Sequence, residues 1–591
     1  MKKYKNNIIS FILACILTIC IWHNFLISGN NIIFVFIFAS CYFVIKKTLE
    51  STKNTKRKMI TAGIVAFIYT IIEIIGKSIN TDFTLNHILN KWLIVNFIGY
   101  FTMFNIIVLW GYDIFENNKL KTENITIFGK DLSNIKLFKN EVFLVIITIL
   151  LIFLSYLPFF LRYYPGIVTS DSYSQIEQTI GILPLKDHHP ITHTAIIGIF
   201  VNLGLKLSGN INTGIALYSI FSMLTMATFA AFVLKYLRKK KVPAFVQLIT
   251  LLFYMFYPVN GMYSITMWKD ILFSGIMPLF IIQNIELIFN TDEFLAKKRN
   301  MVGYVLISIF TMILRHNGLY VVVLSLPFIF IVLRKHWKKL LIMFMSILVI
   351  YEAYNVVVFK ILKVEKGAVG EMLSVPMQQI VRTVKDNYED IDEETIEKLN
   401  KYFTVENVWE DYNPIKFNFN NEYFSENKSE FISIWLKLFV KYPKDYIEAF
   451  ISNSYGYYYP EVRNSVVSRV TMDHNMGIKQ TPLIDGKWVE QIDGLIDARG
   501  IPVFGFVFSI GAGVLLTVIA LSYTIYKKKY KYLLVYLPTF ILWLTLIASP
   551  AYCEYRYAYP IFLALPVYLG MNFIKEGNNE DGKNSSTNTL L

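Results

Sequence analysis

The sequence predicts an all-α polytopic membrane protein: a bundle of about fourteen transmembrane helices with a long first external loop and one large external mixed or helical domain. Three observations carry that expectation. Of 591 residues, 54% are hydrophobic and only 17% charged, whereas a soluble protein carries about a quarter charged residues. Mean hydropathy is +0.45. The apolar residues come in blocks of about 20, the length that crosses a bilayer core, and many blocks lack charge altogether. A large soluble helical protein is thereby excluded.

Reading along the chain, the spans fall at 7–28, 31–47, 59–77, 91–112, 141–161, 212–235, 243–258, 270–290, 301–315, 318–334, 339–359, 501–525, 532–549 and 556–574. The first follows Met1-Lys2-Lys3-Tyr4-Lys5 with no small-x-small cleavage site after it, as an uncleaved anchor does. Orientation follows from lysine and arginine placement. Lys46-Lys47, Lys53 to Lys58, Lys235 to Lys241, Lys297-Lys298-Arg299, Arg334 to Lys339 and Lys527 to Lys531 sit in short loops that belong in the cytoplasm, with the N-terminus. The net charge of +14 is then mostly a topology signal and an attraction to anionic membrane lipids. No aromatic-basic module points to nucleic acid.

Residues 191–207 look like a span, yet counting them as one turns Lys235 to Lys241 outward. Taken as an interfacial or re-entrant helix they restore the positive-inside pattern. The expected organisation is therefore an accessory four-helix module and cytoplasmic linker (1–140), a membrane core (141–359) with external loop 162–211, an external soluble domain (360–500), three C-terminal spans (501–574) and a disordered tail (575–591). Glu73, Asn96 and Asn105 in the first module read as helix–helix hydrogen-bonding groups. Cys15, Cys20, Cys41 and Cys553 form no disulfide framework and no zinc spacing. Abundant Lys, Asn and Ile point to an AT-rich bacterial genome.

This topology brings four polar clusters to one side. They are Thr169-Ser170-Asp171-Ser172 with Gln175, Trp268-Lys269-Asp270, Arg315-His316-Asn317-Gly318, and Cys553-Glu554-Tyr555-Arg556-Tyr557. Membrane-edge charges are often snorkelling anchors, but external cations run against the positive-inside bias. A carboxylate and several cations beside a membrane suit transfer of a group from a lipid-linked phosphate. Asp171 takes the acceptor proton, and Lys269, Arg315 and Arg556 stabilise the departing phosphate. Asp270, Asn317, Tyr557, Gln175 and His189 complete the binding set, with Gln175 on sugar hydroxyls. Alternatively, Ser170 or Asp171 caps a helix running to Ile180. Asp187-His188-His189 raises two readings: a divalent metal site drawn from Asp171, Asp187 and His188, or a helix start with Pro190 in its first turn. The run Tyr455-Gly456-Tyr457-Tyr458-Tyr459-Pro460-Glu461 serves either as an interfacial belt or as a sugar-stacking surface.

Tyr164-Pro165-Gly166 to Asp171, His189-Pro190, Trp268-Lys269-Asp270, Arg315-His316-Asn317-Gly318 and Tyr555-Arg556-Tyr557-Ala558-Tyr559-Pro560 occur in this order over residues 141–574. The arrangement resembles the GT-C superfamily of polyprenyl-phosphate-sugar transferases, whose members include protein O-mannosyltransferases and the lipid A aminoarabinose transferase. It also resembles an uncharacterised bacterial family placed near them. The resemblance implies a GT-C-like bundle with Asp171 as the catalytic carboxylate, and His189 and Pro190 starting the juxtamembrane helix. It implies Lys269, Arg315 and Arg556 as phosphate contacts. Paired acids are common in that loop of the superfamily, whereas here Asp171 is followed by Ser172. The expected function is transfer of a sugar from a polyprenyl-phosphate donor to a cell-envelope glycopolymer or lipid acceptor at the extracytoplasmic face of a bacterial plasma membrane. The alternatives are a lipid or polysaccharide transporter and a non-catalytic envelope-assembly protein. A transporter would carry ionisable residues deep in several spans, whereas here charge sits at the span edges.

Overall fold

A computed structural model describes residues 2–24, 31–51, 54–117, 126–127, 130–131, 140–367, 373–405, 419–464, 470–472, 476–484, 490, 494, 505–550 and 553–574. The tail 575–591 and most of the linker between Glu116 and Glu141 lie outside the described residues.

The chain is an all-α polytopic membrane protein. Its helices are α1 (Lys2–Asn24), α2 (Asn31–Glu50), α3 (Lys56–Asp82), α4 (Leu93–Glu116), α5 (Glu141–Arg162), α6 (Ser170–Thr179), α7 (Ile191–Ser208), α8 (Ile211–Lys239), α9 (Ala244–Phe256), α10 (Pro258–Ser264), α11 (Lys269–Phe289) and α12 (Thr291–Ala296). They continue as α13 (Lys298–Leu314), α14 (His316–Val332), α15 (Trp337–Asn355), α16 (Ser374–Asn387), α17 (Glu393–Tyr402), α18 (Asn421–Glu426), α19 (Lys428–Lys441), α20 (Pro443–Ser454), α21 (Ile510–Tyr526), α22 (Leu533–Ala548) and α23 (Tyr555–Asn572). Two-residue strands, Thr126–Ile127 and Lys130–Asp131, pair antiparallel.

A helix lies over each of the fourteen sequence-read segments, but among the described residues ten helices are long and apolar enough to cross a membrane, or eleven if the bent pair α9–α10 is one span. Of the fourteen, α13, α14, α21, α23 and the bent α9–α10 are not among the ten, and α7, read as an interfacial or re-entrant helix, is. α13, α14 and α21 have 17 residues each, about 26 Å of rise, which falls short of the roughly 30 Å hydrocarbon core. At Tyr257-Pro258 the chain bends by 51°, where proline cannot donate its backbone hydrogen bond.

α11 is the axis of the bundle: 83% of its apolar window is buried, against 6% for the peripheral α2. One apolar core joins α3 and α4 to α5, α8, α11, α21 and α23, whereas α1 and α2 close a small cluster around Ala14, Leu17 and Ile45. The region after residue 373 has a helical core of its own around Ile380, Leu399, Tyr402 and Phe431. It docks on the α3–α4 turn, where Glu448 accepts from the Leu85 backbone N–H and Arg382 donates to Phe83 O. The tyrosine run is neither a belt nor a sugar platform at its centre. Tyr457 and Tyr459 are 0% and 1% exposed, and Tyr459 wedges against Gly76 and Gly511.

By length and hydropathy α7 qualifies as a span. It packs closely on the first part of α8: His193 Nε2 meets Tyr218 Oη at 2.8 Å, the Phe200 and Phe221 ring centroids lie 4.9 Å apart, and a Cβ on Gly204 would fall 2.1 Å from Gly214 N. Gly209, in the left-handed region with φ of 67°, reverses the chain between the two.

At the Gly204–Gly214 crossing a side chain has no room. Gly204→Ala is expected to destabilise the protein by about 1–3 kcal/mol, read as a lowered unfolding temperature of the detergent-solubilised protein. An unchanged transition would remove the close crossing.

Candidate active site at the convergence of five helix starts

A backbone pairing builds the site. Ile167 N–H donates to Ile265 O at 2.9 Å and Met267 N–H donates to Ile167 O at 3.0 Å. This short parallel bridge sets Thr169-Ser170-Asp171 beside Trp268-Lys269-Asp270, so α6 and α11 start side by side. Two side-chain bonds lock the register: Ser172 Oγ to Met267 O at 2.5 Å and Trp268 Nε1 to Thr169 Oγ1 at 2.7 Å. From behind, Thr471 Oγ1 donates to Gly166 O and Met472 N–H to Val168 O. Neither Ser170 nor Asp171 caps α6. Its N-cap is Thr169, whose hydroxyl is engaged by the Trp268 indole.

α7, α14 and α23 also begin here, after Pro190, Arg315 and Glu554. Each helix start carries about half a positive charge and unpaired N–H groups, so five of them favour an anion. The side chains form three linked pairs. Arg556 Nη1 donates to Asp171 Oδ2 at 2.8 Å, its Nε donates to Glu554, and its Nη2 donates to Tyr557 Oη at 3.0 Å. Lys269 Nζ donates to His189 Nδ1 at 2.7 Å. Arg315 Nε lies 3.1 Å from Asp270 Oδ1, and its Nη1 donates to Tyr557 O at 3.2 Å. The Tyr557 ring has a guanidinium at 4.8 Å on behalf of both Arg556 and Arg315, and Arg556 also lies 4.6 Å from the Trp268 ring centroid.

Asp171, Lys269, Arg315, Arg556, Tyr557 and His189 are thus brought together. Three other predicted contacts have different work. Asp270 is 0% exposed and ion-paired to Arg315, so it holds that guanidinium and does not face a ligand. Gln175 is also fully buried, between His193 Nδ1 at 3.1 Å and Thr194 Oγ1 at 2.9 Å, and cannot reach a sugar hydroxyl. Asn317 donates to Thr545 Oγ1 at 2.8 Å, tying α14 to α22. Among the described residues no group of three His, Cys, Asp or Glu is placed to hold a metal ion. Asp171 faces Arg556, Asp187 faces His316 at 4.0 Å, and His188 stacks edge-on against His189. Glu554 and Trp268 were visible in the sequence clusters, but nothing in their spacing marked them as partners of Arg556.

Electrostatics follow from these pairs. Burial pushes the Asp171 carboxyl up, but the Arg556 guanidinium, with the Lys269 ammonium, outweighs it and holds the group down at about 2. Asp171 is therefore a carboxylate at neutral pH. Burial and the neighbouring Lys269 ammonium hold His189 down at about 2, so its imidazole is neutral and accepts from Lys269. Among the described residues no carboxylate lies within ion-pair distance of Lys269, the one cation of the cluster so placed. The Asp171 side chain keeps 27% of its surface exposed, which leaves the cluster an opening at that carboxylate.

A carboxylate depressed by its partner stabilises the fold above its unfolded pKa of about 3.9, and that contribution is lost as pH falls toward 2. Asp171→Asn is expected to cost about 2 kcal/mol at pH 7. In thermal melts of the solubilised protein the gap to wild type should be constant from pH 5 to pH 8 and narrow only below about pH 4. A gap that changes near pH 6 would assign the titration to another group.

No curated protein and no solved structure matches the chain. A family model matches residues 182–587, a stretch that takes in Lys269, Arg315 and Arg556 and begins eleven residues after Asp171. The chain therefore belongs to DUF6020, a family of unknown function.

Proposed function

We infer that the protein is a membrane glycosyltransferase of the GT-C kind, moving a sugar from a polyprenyl-phosphate donor to a cell-envelope acceptor. The observation that carries this reading is the meeting of the partly exposed Asp171 carboxylate with Lys269, Arg315 and Arg556 at five helix starts. Such a site favours a phosphate and has a proton acceptor beside it. The Lys and Arg residues between α8 and α9, between α14 and α15 and between α21 and α22 lie at the opposite end of the bundle. That supports an extracytoplasmic site in a bacterial plasma membrane.

At a pKa of about 2 Asp171 is a weak base. A donor phosphate that draws the Arg556 fork to itself removes the main cation from Asp171 and raises its basicity where the acceptor must be deprotonated. The reaction then balances as follows. The acceptor oxygen bonds to the anomeric carbon, and its proton goes to Asp171. The carbon–oxygen bond to phosphate breaks, and the lipid phosphate leaves with one more negative charge, met by Lys269 and Arg556. Arg315, fixed by Asp270 and the Tyr557 ring, adds a positive charge that does not move.

The test uses a bacterial strain lacking the gene. Mass spectrometry of its envelope polymers is expected to show a lost sugar that wild type restores. Asp171→Asn should lower the product by about 100-fold or more. Arg556→Lys, which keeps the charge but loses the fork, should lower it about tenfold. An envelope unchanged by deletion, or full restoration by inserted and folded Asp171→Asn, would sink the reading.

A further inference from the structure

At the end of the bundle opposite Asp171, a cavity of about 460 Å³ opens between α8, α11, α12 and α13. Its walls grade from polar to apolar within one or two helical turns. Going inward, Lys235 gives way to Phe232 on α8, Gln283 to Leu279 on α11, and Arg299 to Ile307 on α13. The graded wall matches an amphiphile with a polar head and an apolar chain.

Three features fix the sign and chemistry of the head. The acids on the wall are already satisfied: Glu286 is held by Lys239 at 3.0 Å and Lys240 at 2.7 Å, and Glu293 by Lys297 at 2.7 Å. Among the described residues Lys235 and Arg299, both exposed, have no ion-pair partner. Tyr236 also lines the wall, only 6% exposed, and its buried hydroxyl has no hydrogen-bond partner. A buried hydroxyl left unpaired is costly, and an oxygen of a ligand would satisfy it. On α13 the face that carries Arg299 and Ile307 also carries a glycine. Gly303 sits one turn from both Arg299 and Ile307, and a Cβ there would meet nothing within 4 Å.

We propose that this cavity binds the phosphate headgroup of an anionic lipid. Lys235, Arg299 and the Tyr236 hydroxyl hold the phosphate oxygens, and the first methylenes of the chain lie along Phe232, Leu279 and Ile307. The site is independent of glycosyl transfer at Asp171. Its ligand is a phosphate on a long apolar chain, supplied either by a glycerophospholipid or by an isoprenyl phosphate.

The experiment uses the full-length protein in neutral detergent, with native mass spectrometry and thermal unfolding as readouts. The probes are phosphatidylglycerol, an isoprenyl monophosphate, phosphatidylcholine and inorganic phosphate. Phosphatidylglycerol, the isoprenyl phosphate or both should bind and stabilise the protein more than phosphatidylcholine does, and the preferred one names the source. Lys235→Gln combined with Arg299→Gln should weaken that binding about tenfold or more. Tyr236→Phe should weaken it by a few-fold while raising stability without lipid. Gly303→Leu, which fills space and keeps every charge, should exclude the lipid. Equal binding of phosphatidylcholine by wild type, or wild-type affinity in the double variant or in Gly303→Leu, overturns the proposal. Inorganic phosphate stabilising as strongly as the lipids overturns its lipid part.

Discussion

Two backbone hydrogen bonds, from Ile167 to Ile265 and from Met267 to Ile167, set everything else in the candidate site. They join segments about a hundred residues apart in a short parallel bridge, and they fix where α6 and α11 begin. A shift of one residue in that register would move the start of α6 along the start of α11 and separate Asp171 from Lys269. The bridge is guarded by the Ser172 and Trp268 side-chain bonds on one side and by Thr471 and Met472 on the other. Rigid support of this kind is what a site needs to hold reacting groups within a fraction of an ångström.

The resting cluster is a balanced set of charges held by unequal ties. Arg315 is anchored by a fully buried acid, a backbone carbonyl and two rings, Phe273 and Tyr557. Arg556 is held by two partly exposed acids, Asp171 and Glu554, by the Tyr557 hydroxyl and by the Trp268 and Tyr557 rings. Solvent screens its acid pairs more than the buried Asp270 pair, so the ion pairs of Arg556 are the weaker ones. Lys269 needs no rearrangement at all, since its partner His189 is neutral. A fixed cation, a more weakly paired cation and an unpaired cation make a graded response to an arriving phosphate.

The membrane helices were legible in the sequence because apolar runs of span length have few other uses, and a helix lies over every one read there. Asp171, Lys269, Arg315 and Arg556 were legible for a different reason: charge at a membrane edge is expensive and therefore stands out. What the sequence hid was which way polar side chains face. Gln175, Asp270 and Asn317 sit next to site residues, yet each points into a helix contact, because polar groups that brace a packed membrane bundle look the same in sequence as groups that bind. α7 shows the limit of hydropathy. Its composition qualifies it as a span, while its close packing on α8 depends on Gly204 and Gly214, residues whose meaning lies in the partner they face. The tyrosines at 457 and 459 were misread in the same way: an aromatic cluster near a membrane edge was taken for surface, and it is a wedge in the core.

The ion pair between Arg556 and Asp171 spans 385 residues of chain. Its two halves emerge from the ribosome far apart in time. Asp171 leaves first, and α23, which carries Arg556 and is preceded by Glu554, is the last helix described. Chains enter the membrane from their N-terminal side as they are made. Until α23 arrives, the Asp171 carboxylate has no guanidinium and the Trp268 ring has no cation over it. Completion of the site is therefore coupled to the arrival of α23: a chain that stops before this helix has the opening loop and the lysine, but not the clamp that closes them into one cluster.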